Sequence, residues 1–483
     1  MNDIKGYYGL LELLNDEFGD ERKARTLLDE LGRLLLRKNE EEELVEEDQE
    51  QNSIVKEASE AMMTKHRLLT IEETKEILCY RNGVYVPGGE VLIEKEAEGM
   101  YRYQLANRHL SEIKGHIMRN TYHTHDEIDS DLNVINLKNG LYNIRSGEVK
   151  EHTPDYLSIN QVPVVYNPTL KPKLFGKYLC EVLYPAEIRT AVELLGYTFY
   201  RANPFEIIAI LFGYGANGKS VFTGLITSLH GSKNISNLPL SSMQEDRFAL
   251  SDLEDKTVNI DTELTGTTIR DASILKKLTG RQATRIQRKN QRAYDALLHA
   301  KLFFSANRIP ASNDESDAYF RRKVILGFPN RFEGKRDDPD LIEKLTTEEE
   351  LSGILNVLLI ALRRALNCNG IFVKEKTIEQ RRERYVLAAS PIEAFLDDAV
   401  AEDSVESDEV PKEELYQAYK RFCNDHSLAV LSKETFGKNL KRQVGKWKLG
   451  ESREASGQRR TLWTGAKLVQ KYNIELRQET LNV

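Results

Sequence analysis

The most chemically informative residues of this sequence form a glycine-rich loop of the kind that holds nucleotide phosphates. Residues 213–220 read GYGANGKS and fit the pattern G-x-x-x-x-G-K-[ST]. Glycines let backbone N–H groups approach the phosphates, the lysine reaches the β- and γ-phosphates, and the final hydroxyl holds Mg²⁺. We therefore expect ATP and Mg²⁺ as cofactors, with Ser220 as a metal ligand. The predicted nucleotide contacts are Gly213, Gly215, Ala216, Asn217, Gly218, Lys219, Ser220 and Val221.

Further candidates for catalysis follow later apolar segments. Asp261 and Glu263 end TVNIDTE, where a Mg²⁺-binding aspartate and a water-activating glutamate would be needed, although such charged ends are also common on surfaces. Asn307 follows AKLFFSA and could orient the attacking water, although asparagine before a turn is also ordinary loop chemistry. Arg321 and Arg322 could reach the nucleotide of a neighbouring subunit, and we favour Arg322 for this role.

A basic segment lies among these candidates. Residues 276–292 contain seven basic and no acidic side chains, in a chain whose net charge is −8. A positive stripe in an acidic chain indicates a phosphate-bearing partner. The plainer alternative is a solvated basic turn that balances acidic neighbours.

The residues around the loop predict the elements that hold it. The apolar run 205–212 is typical of a strand buried on both faces, and apolar residues at helical spacing then continue to Gly231. Apolar runs at 257–260 and 300–306 predict two more buried strands. This alternation of strands and helices predicts an α/β fold with a parallel sheet.

Taken in order, these segments resemble the AAA+ core of superfamily 3 helicases, the replicative motors of small DNA viruses, phages and plasmids. GYGANGKS is similar to the family's phosphate loop, NIDTE to its second motif, FFSAN to its sensor motif and FRRK to its arginine-finger segment. The resemblance implies an AAA+ P-loop ATPase core, ATP hydrolysis, and a homo-hexameric ring that holds single-stranded or forked DNA in its channel.

The basic segment is similar to the family's pore hairpin. The resemblance implies a β-hairpin over 284–294 whose basic tip contacts DNA in the pore. The chain departs from many relatives at Gln282 and Gln287, where acidic residues are usual. The expected DNA contacts of the hairpin are Arg285, Arg288, Lys289 and Asn290.

The flanking sequence extends the resemblance. Residues 133–168 resemble the domain that precedes the motor in phage, plasmid and poxvirus primase-helicases, but we identify no primase domain, so a separate primase or polymerase is an expected partner. We predict a charged helical region at 1–78, a small α+β domain at 79–185, the motor at 186–375, a helix with an acidic linker at 376–411, and a winged-helix-like domain at 412–483.

The winged-helix prediction depends on two helices followed by a two-stranded segment with Trp447 and Trp463 as anchors. Residues 441–460 hold seven basic and two acidic side chains. The second helix could enter a DNA groove, although the same fold often makes only protein contacts. The expected DNA contacts in this helix are Lys438, Lys441 and Arg442.

Composition narrows the class of protein. Charged residues make up 30% of the chain, and no apolar stretch approaches the roughly 20 residues that span a bilayer, so we expect no membrane partner. The four cysteines have no paired spacing, which argues for free thiols and against a zinc site. With no signal peptide evident, we expect a virus-, phage- or plasmid-encoded protein in the host cytosol.

The sequence therefore predicts an ATP-dependent replicative DNA helicase. One alternative is a P-loop ATPase that acts on proteins or small molecules, which would leave the basic segment at 276–292 without a purpose. Another is a non-hydrolysing scaffold that binds a replication origin. ATP turnover with and without single-stranded DNA would distinguish the three.

Overall fold

The structure is a computed structural model, and the chain forms two compact units, Met1–Ile128 and Asp129–Val483, each with its own core. Most of the expected charged helices before residue 54 lie outside the residues that it describes. The described residues are 22, 23, 25–27, 29, 30, 33, 54–101, 106–264, 272–289, 291–310, 312, 314–334, 337–401, 403–405, 407–442, 450–453 and 461–472.

The first unit is a small sheet with helices. Its strands run in the order β3-β2-β1-β4, with β4 parallel to β1 and the other pairs antiparallel. The predicted domain boundary at 78/79 falls inside β2. The elements are α1 (54–65), β1 (Leu68–Ile71), β2 (Ile77–Arg81), β3 (Val84–Pro87), α2 (Gly89–Tyr101), α3 (Asn107–Asn120) and β4 (Tyr122–His123).

A five-stranded parallel sheet forms the centre of the second unit, which confirms the predicted α/β class. Its strand order is β14-β8-β13-β10-β9, and all its strands are almost fully buried because helices cover both faces. The strands are β8 (Ile208–Phe212), β9 (Ile235–Ser236), β10 (Val258–Asp261), β13 (Lys301–Ala306) and β14 (Lys323–Gly327).

Helices pack closely around this sheet. A Cβ at Gly196 would lie 2.5 Å from the carbonyl oxygen of Leu358, so glycine is needed where α5 crosses α11. Within the described residues, no helix is both long and apolar enough to cross a membrane. The helices are α4 (Phe175–Val182), α5 (Pro185–Tyr197), α6 (Lys219–His230), α7 (Leu240–Glu245), α8 (Ser273–Thr279), α9 (Asp317–Phe320), α10 (Leu341–Leu345) and α11 (Glu348–Asn367).

Two small antiparallel sheets accompany the large one. The first, of β5 (Val134–Leu137), β6 (Gly140–Asn143) and β7 (Val149–Lys150), turns at Gly140, whose φ of 153° suits glycine. The second is a hairpin of β11 (Thr284–Ile286) and β12 (Tyr294–Ala296), which confirms the predicted hairpin.

The carboxyl-terminal part shares its core with one face of the large sheet. Phe395 is fully buried in the same apolar cluster as Ile210 of β8. The region expected to be a helix and an acidic linker, 376–411, contains two helices and β15, because apolar residues at helical spacing face the core while most of its described carboxylates are exposed. The elements are α12 (Ile378–Ala389), α13 (Pro391–Ala399), β15 (Glu409–Pro411), α14 (Lys412–Asp425), α15 (Lys433–Arg442), β16 (Gly450–Arg453) and β17 (Thr461–Thr464), with sheet order β15-β17-β16.

Candidate nucleotide-binding site

The residues that directly follow strands β8, β10 and β13 lie at the same edge of the parallel sheet. Phe212, the last residue of β8, pairs with Ala306, the last residue of β13. β10 ends at Asp261, which pairs with Phe304. The glycine-rich loop, the TVNIDTE segment and Asn307 therefore meet at the carboxyl ends of parallel strands, where ligands bind in open α/β sheets.

The loop conformation depends on its glycines. Gly215 and Gly218 have φ values of 92° and 88°, a region that favours glycine. Space is also limited at Gly218, because a Cβ there would lie 2.6 Å from Cγ1 of Val182 on α4. The hydroxyl of Tyr178, also on α4, donates to the Gly218 carbonyl at 3.0 Å. Helix α4 thus packs directly against the loop and fixes the start of α6.

Lys219 is the first residue of α6 and only 7% exposed. Its Nζ donates to the carbonyl oxygen of Gly213 and, at 3.1 Å, to Oδ1 of Asn307. Burial lowers the pKa of Lys219 to about 8. Among the described residues no carboxylate forms an ion pair with this ammonium, so its charge is balanced only by neutral oxygens. Such a buried and unbalanced cation is suited to an anionic ligand.

A cavity of about 670 Å³ lies in front of the loop. One wall comes from α4 and from the segment after β14, and it combines apolar with charged side chains. The other wall is polar and comes from the loop and the strand ends. The apolar residues of the first wall are Leu174, Tyr178, Val182, Phe332 and Leu341, and its charged residues are Lys177, Glu181, Asp337, Asp338 and Lys344. The polar wall includes Gly215, Ala216, Asn217, Gly218, Lys219, Ser220, Thr262, Glu263, Ser305 and Asn307.

The structure thus brings most of the predicted nucleotide and catalytic residues to one cavity. Val221 also lines it, and Gly213 contributes through its contact with Lys219. Asp261 is placed differently, because its carboxylate accepts from the backbone N–H of Leu240 at 3.0 Å and of Glu263 at 3.1 Å. Asp261 does not line the cavity; it holds the backbone of Glu263, which does.

The side-chain amide of Asn217 gives further evidence for a ligand at the loop. This side chain is buried, and the Nδ2 donor has no hydrogen-bond partner among the residues that the structure describes. An unsatisfied buried donor costs free energy, and a ligand oxygen would relieve that cost. Asn217 also explains Gly213, since a Cβ at Gly213 would lie 1.9 Å from Asn217 Nδ2.

The two adjacent arginines have different surroundings. Arg322 is 6% exposed, and its guanidinium donates to Thr279 Oγ1 at 3.1 Å and contacts Glu206 at 2.6 Å. The side chain of Arg321 is 50% exposed and contacts the same carboxylate at 2.5 Å. The Arg322 side chain is therefore occupied by internal contacts, whereas half of the Arg321 side chain remains exposed.

The hairpin presents only part of its basic surface. Arg288 does not point freely from the tip, because its Nη2 lies 2.7 Å from an oxygen of Glu254, whose side chain is 3% exposed. The Tyr294 hydroxyl donates to the same carboxylate at 2.7–2.8 Å. Arg285 and Lys289 are exposed. Asn290 lies outside the described residues.

The predicted DNA contacts of α15 fall on two faces. Lys438 and Lys441 are exposed and line a cavity of about 310 Å³ together with Lys412 and Trp463. Arg442 instead lines a different cavity, on the side of the motor. Trp463 is buried as an anchor, and Trp447 lies outside the described residues.

The sequence did not identify the apolar wall of the nucleotide cavity. Its residues lie on an amphipathic helix and on a segment following the last strand, and such apolar spacing is ordinary core sequence. Tertiary contacts bring this segment to the site: the Phe332 N–H donates to the Ala216 carbonyl at 2.7 Å, and the Asn330 side chain donates to the Glu181 carbonyl at 2.7 Å.

Several family models and a viral protein match parts of this chain. A family model described as "D5 N terminal like" matches residues 90–183, and one described as "Poxvirus D5 protein-like" matches residues 389–473. A model described as "Family of unknown function (DUF5906)" matches residues 211–322. The protein named "Putative helicase 184R" of Invertebrate iridescent virus 6 is 25% identical over 254 residues, 45% of this chain. The aligned part spans 24% of that relative's length.

These matches support a relationship to D5-type viral helicases. Among solved structures, "The A form apo structure of NrS-1 C terminal region-CTR" aligns at 13% identity with a TM-score of 0.45, covering 84% of this chain and 98% of that one. "The apo structure of NrS-1 C terminal region (305-718)" aligns at 13% identity with a TM-score of 0.43, covering 85% and 98% of the two chains.

Proposed function

We propose that this chain is the motor of an ATP-dependent DNA helicase that works as a hexameric ring. The observation that carries the proposal is Lys219, held at the start of α6 between Gly213 and Asn307 in a cavity at the edge of a parallel sheet. The related viral helicase and the D5-type matches support the same function.

The sheet order agrees with an AAA+ core of the superfamily 3 type. When the five strands are numbered 1 to 5 along the chain, their order in the sheet is 5-1-4-3-2. Strand β8, which precedes the phosphate loop, lies directly beside the edge strand β14. The α13-β15-α14-α15-β16-β17 region has β17 between β15 and β16, and this order supports the interpretation as a winged helix. We therefore interpret the second unit as an ATPase with an attached winged helix.

The cavity residues fit ATP and Mg²⁺. The loop would hold the phosphates, and the wall of Leu174, Tyr178 and Phe332 would cover the base. Ser220 is exposed on the first turn of α6, and Glu263 lines the same cavity, so these two would face the metal and the attacking water. When bound, Mg²⁺ would neutralise charge on the β- and γ-phosphates.

ATP turnover tests the enzyme. We expect hydrolysis that single-stranded DNA stimulates, and Glu263→Gln should retain ATP binding while hydrolysis falls at least about a hundredfold, because the water-activating group is lost. Asp252→Asn, at an exposed carboxylate outside the cavity, is the matched control. Turnover by Glu263→Gln at the parental rate would refute the assignment of the site. Turnover without any response to DNA would favour an ATPase that acts on another substrate.

Subunit mixing tests the ring. A finger arginine must reach a γ-phosphate of the next subunit, and the half-exposed Arg321 is better placed to do so than the buried Arg322. Inactive Lys219→Ala and Arg321→Ala subunits should regain ATPase activity when mixed, since some interfaces then contain both residues. Mixed rings seen by native mass spectrometry without recovery of activity would contradict a finger supplied in trans.

Unwinding tests the hairpin. Lys289 is exposed near the hairpin tip, and its contact with backbone phosphates should tolerate any DNA sequence and weaken with salt. Lys289→Ala should abolish unwinding of a forked duplex while basal ATPase activity persists, and Lys233→Ala provides an exposed-lysine control. Normal unwinding by Lys289→Ala would refute the pore hairpin. Lys438 and Lys441 of α15 should instead affect DNA loading.

A further inference from the structure

A second cavity, of about 550 Å³, adjoins the nucleotide site. Asn307 lines both cavities. The second cavity lies between the loop following β13, the segment following β14 and the carboxyl-terminal helices. Its polar lining includes Asn307, Arg308, Arg331, Ser390, Glu393, Ser432, Thr435, Asn439 and Arg442.

Three arginines from distant parts of the chain converge on this cavity. Arg308 follows the strand β13, Arg331 follows β14, and Arg442 ends α15. Arg331 contacts Glu333 at 2.5 Å. Within the described part of the chain, neither Arg308 nor Arg442 forms an ion pair. Glu393 is the one acidic side chain among the described lining residues, so the lining carries a net positive charge.

The backbone beside each arginine is fixed. Ile309, next to Arg308, is buried, and the carbonyl of the following Pro310 accepts from the Tyr385 hydroxyl at 2.6 Å. Phe332, next to Arg331, is bonded to the phosphate loop. Leu440, two residues before Arg442, is fully buried. The three guanidinium groups therefore start from anchored positions, which lowers the entropic cost of gathering them around one ligand.

The amino terminus of α13 adds to the positive potential. The start of this helix lines the cavity with Ser390, which precedes the helix, and with Pro391 and Ile392 of its first turn. The Ser390 side chain does not cap the helix. Free N–H groups at a helix start favour an anion. Arginine forks match the oxygens of a phosphate in a bidentate way, which a compact chloride ion cannot use.

We propose that this cavity is a second phosphate-binding site, separate from the nucleotide site. The phosphate has two available sources in the proposed function: the inorganic phosphate that leaves the neighbouring nucleotide cavity, and the phosphodiester backbone of DNA. The assignment of Arg442 changes accordingly. It serves this cavity rather than the DNA-facing side of α15, where Lys438 and Lys441 lie.

The test uses the full chain carrying Lys219→Ala, so that phosphate binding at the loop is weakened and ATP turnover is not needed. Inorganic phosphate is titrated by calorimetry. We expect saturable binding that weakens by roughly tenfold or more in Arg308→Ala and Arg442→Ala, since each loses a charge-assisted hydrogen bond. Arg247→Ala, at an exposed arginine outside both cavities, should bind like the parent.

A single-stranded oligonucleotide then distinguishes the two sources. If it competes with phosphate in the parent and this competition needs Arg308 and Arg442, the backbone of DNA is the ligand. If it does not compete, the ligand is free phosphate. Arg308→Lys and Arg442→Lys keep the positive charge but remove the bidentate guanidinium, so each should also weaken phosphate binding. These two variants keep the test possible if an alanine variant fails to fold. Absent saturation, or equal affinity in all variants, would overturn the proposal. Neither result would bear on the nucleotide site.

Discussion

The anchoring of the hairpin by Glu254 permits a quantitative prediction. This buried carboxylate accepts from Arg288 on one side of the hairpin and from Tyr294 on the other. Replacing it with alanine leaves both donors without their acceptor. A hydrogen bond to a charged group contributes about 1.5–3 kcal/mol, so the two together stabilise the hairpin by roughly 3–6 kcal/mol.

Hydrogen exchange of the hairpin amides measures this anchoring. If the free energy of local opening falls by about 3 kcal/mol in Glu254→Ala, exchange over 284–296 should accelerate by roughly a hundredfold, since 1.4 kcal/mol corresponds to a factor of ten. Tyr294→Phe removes one of the two bonds and should give an intermediate acceleration. In the same variants, stimulation of ATPase activity by DNA should fall, because a loose hairpin cannot transmit force to the strand.

Asp295→Ala is the matched control for this prediction. Asp295 lies opposite Arg285 on the hairpin, and both side chains are exposed. An exposed pair contributes about 0–1 kcal/mol, so exchange should change by no more than about fivefold. Equal protection of the hairpin in the parent and in Glu254→Ala would refute the anchoring role.

Three other outcomes are expected. ATP binding should take up a proton near pH 8, because burial lowers the pKa of Lys219 to about 8 and the bound phosphate favours the charged form of the lysine. Calorimetry in buffers of different ionisation enthalpy should show this proton uptake. The uptake should disappear in Lys219→Arg. Arg384→Ala should lower the free energy of unfolding, measured by urea titration, by about 3–5 kcal/mol, because it removes the ion-pair partner of the buried Glu187 carboxylate. Arg382→Ala, which removes a half-exposed ion pair on the same helix, should lower it by about 1 kcal/mol or less. Gly218→Ala should abolish binding of a fluorescent ATP analogue without unfolding the protein, since its Cβ would displace Val182 and its φ of 88° disfavours alanine.

Those features that depend on local sequence were predictable. The phosphate loop and its flanking strand and helix follow from spacing within a short segment, whereas the hairpin was implied by the family resemblance. The sequence also predicted the two helices α14 and α15 and a two-stranded segment after them. Charge alone did not reveal that Phe395 and Val410, which lie within the acidic segment at 391–411, face a core.

The sequence by itself determined which residue types could do chemistry, because glycine conformation, strand burial and the order of motifs are properties of neighbouring residues. The tertiary structure alone decided which of those side chains are available. Arg321 and Arg322 are identical in type and both contact Glu206, yet Arg322 is buried against Thr279 while Arg321 is half-exposed. Burial and pairing join residues far apart in the chain, so only the folded arrangement fixes which charges remain open to a ligand.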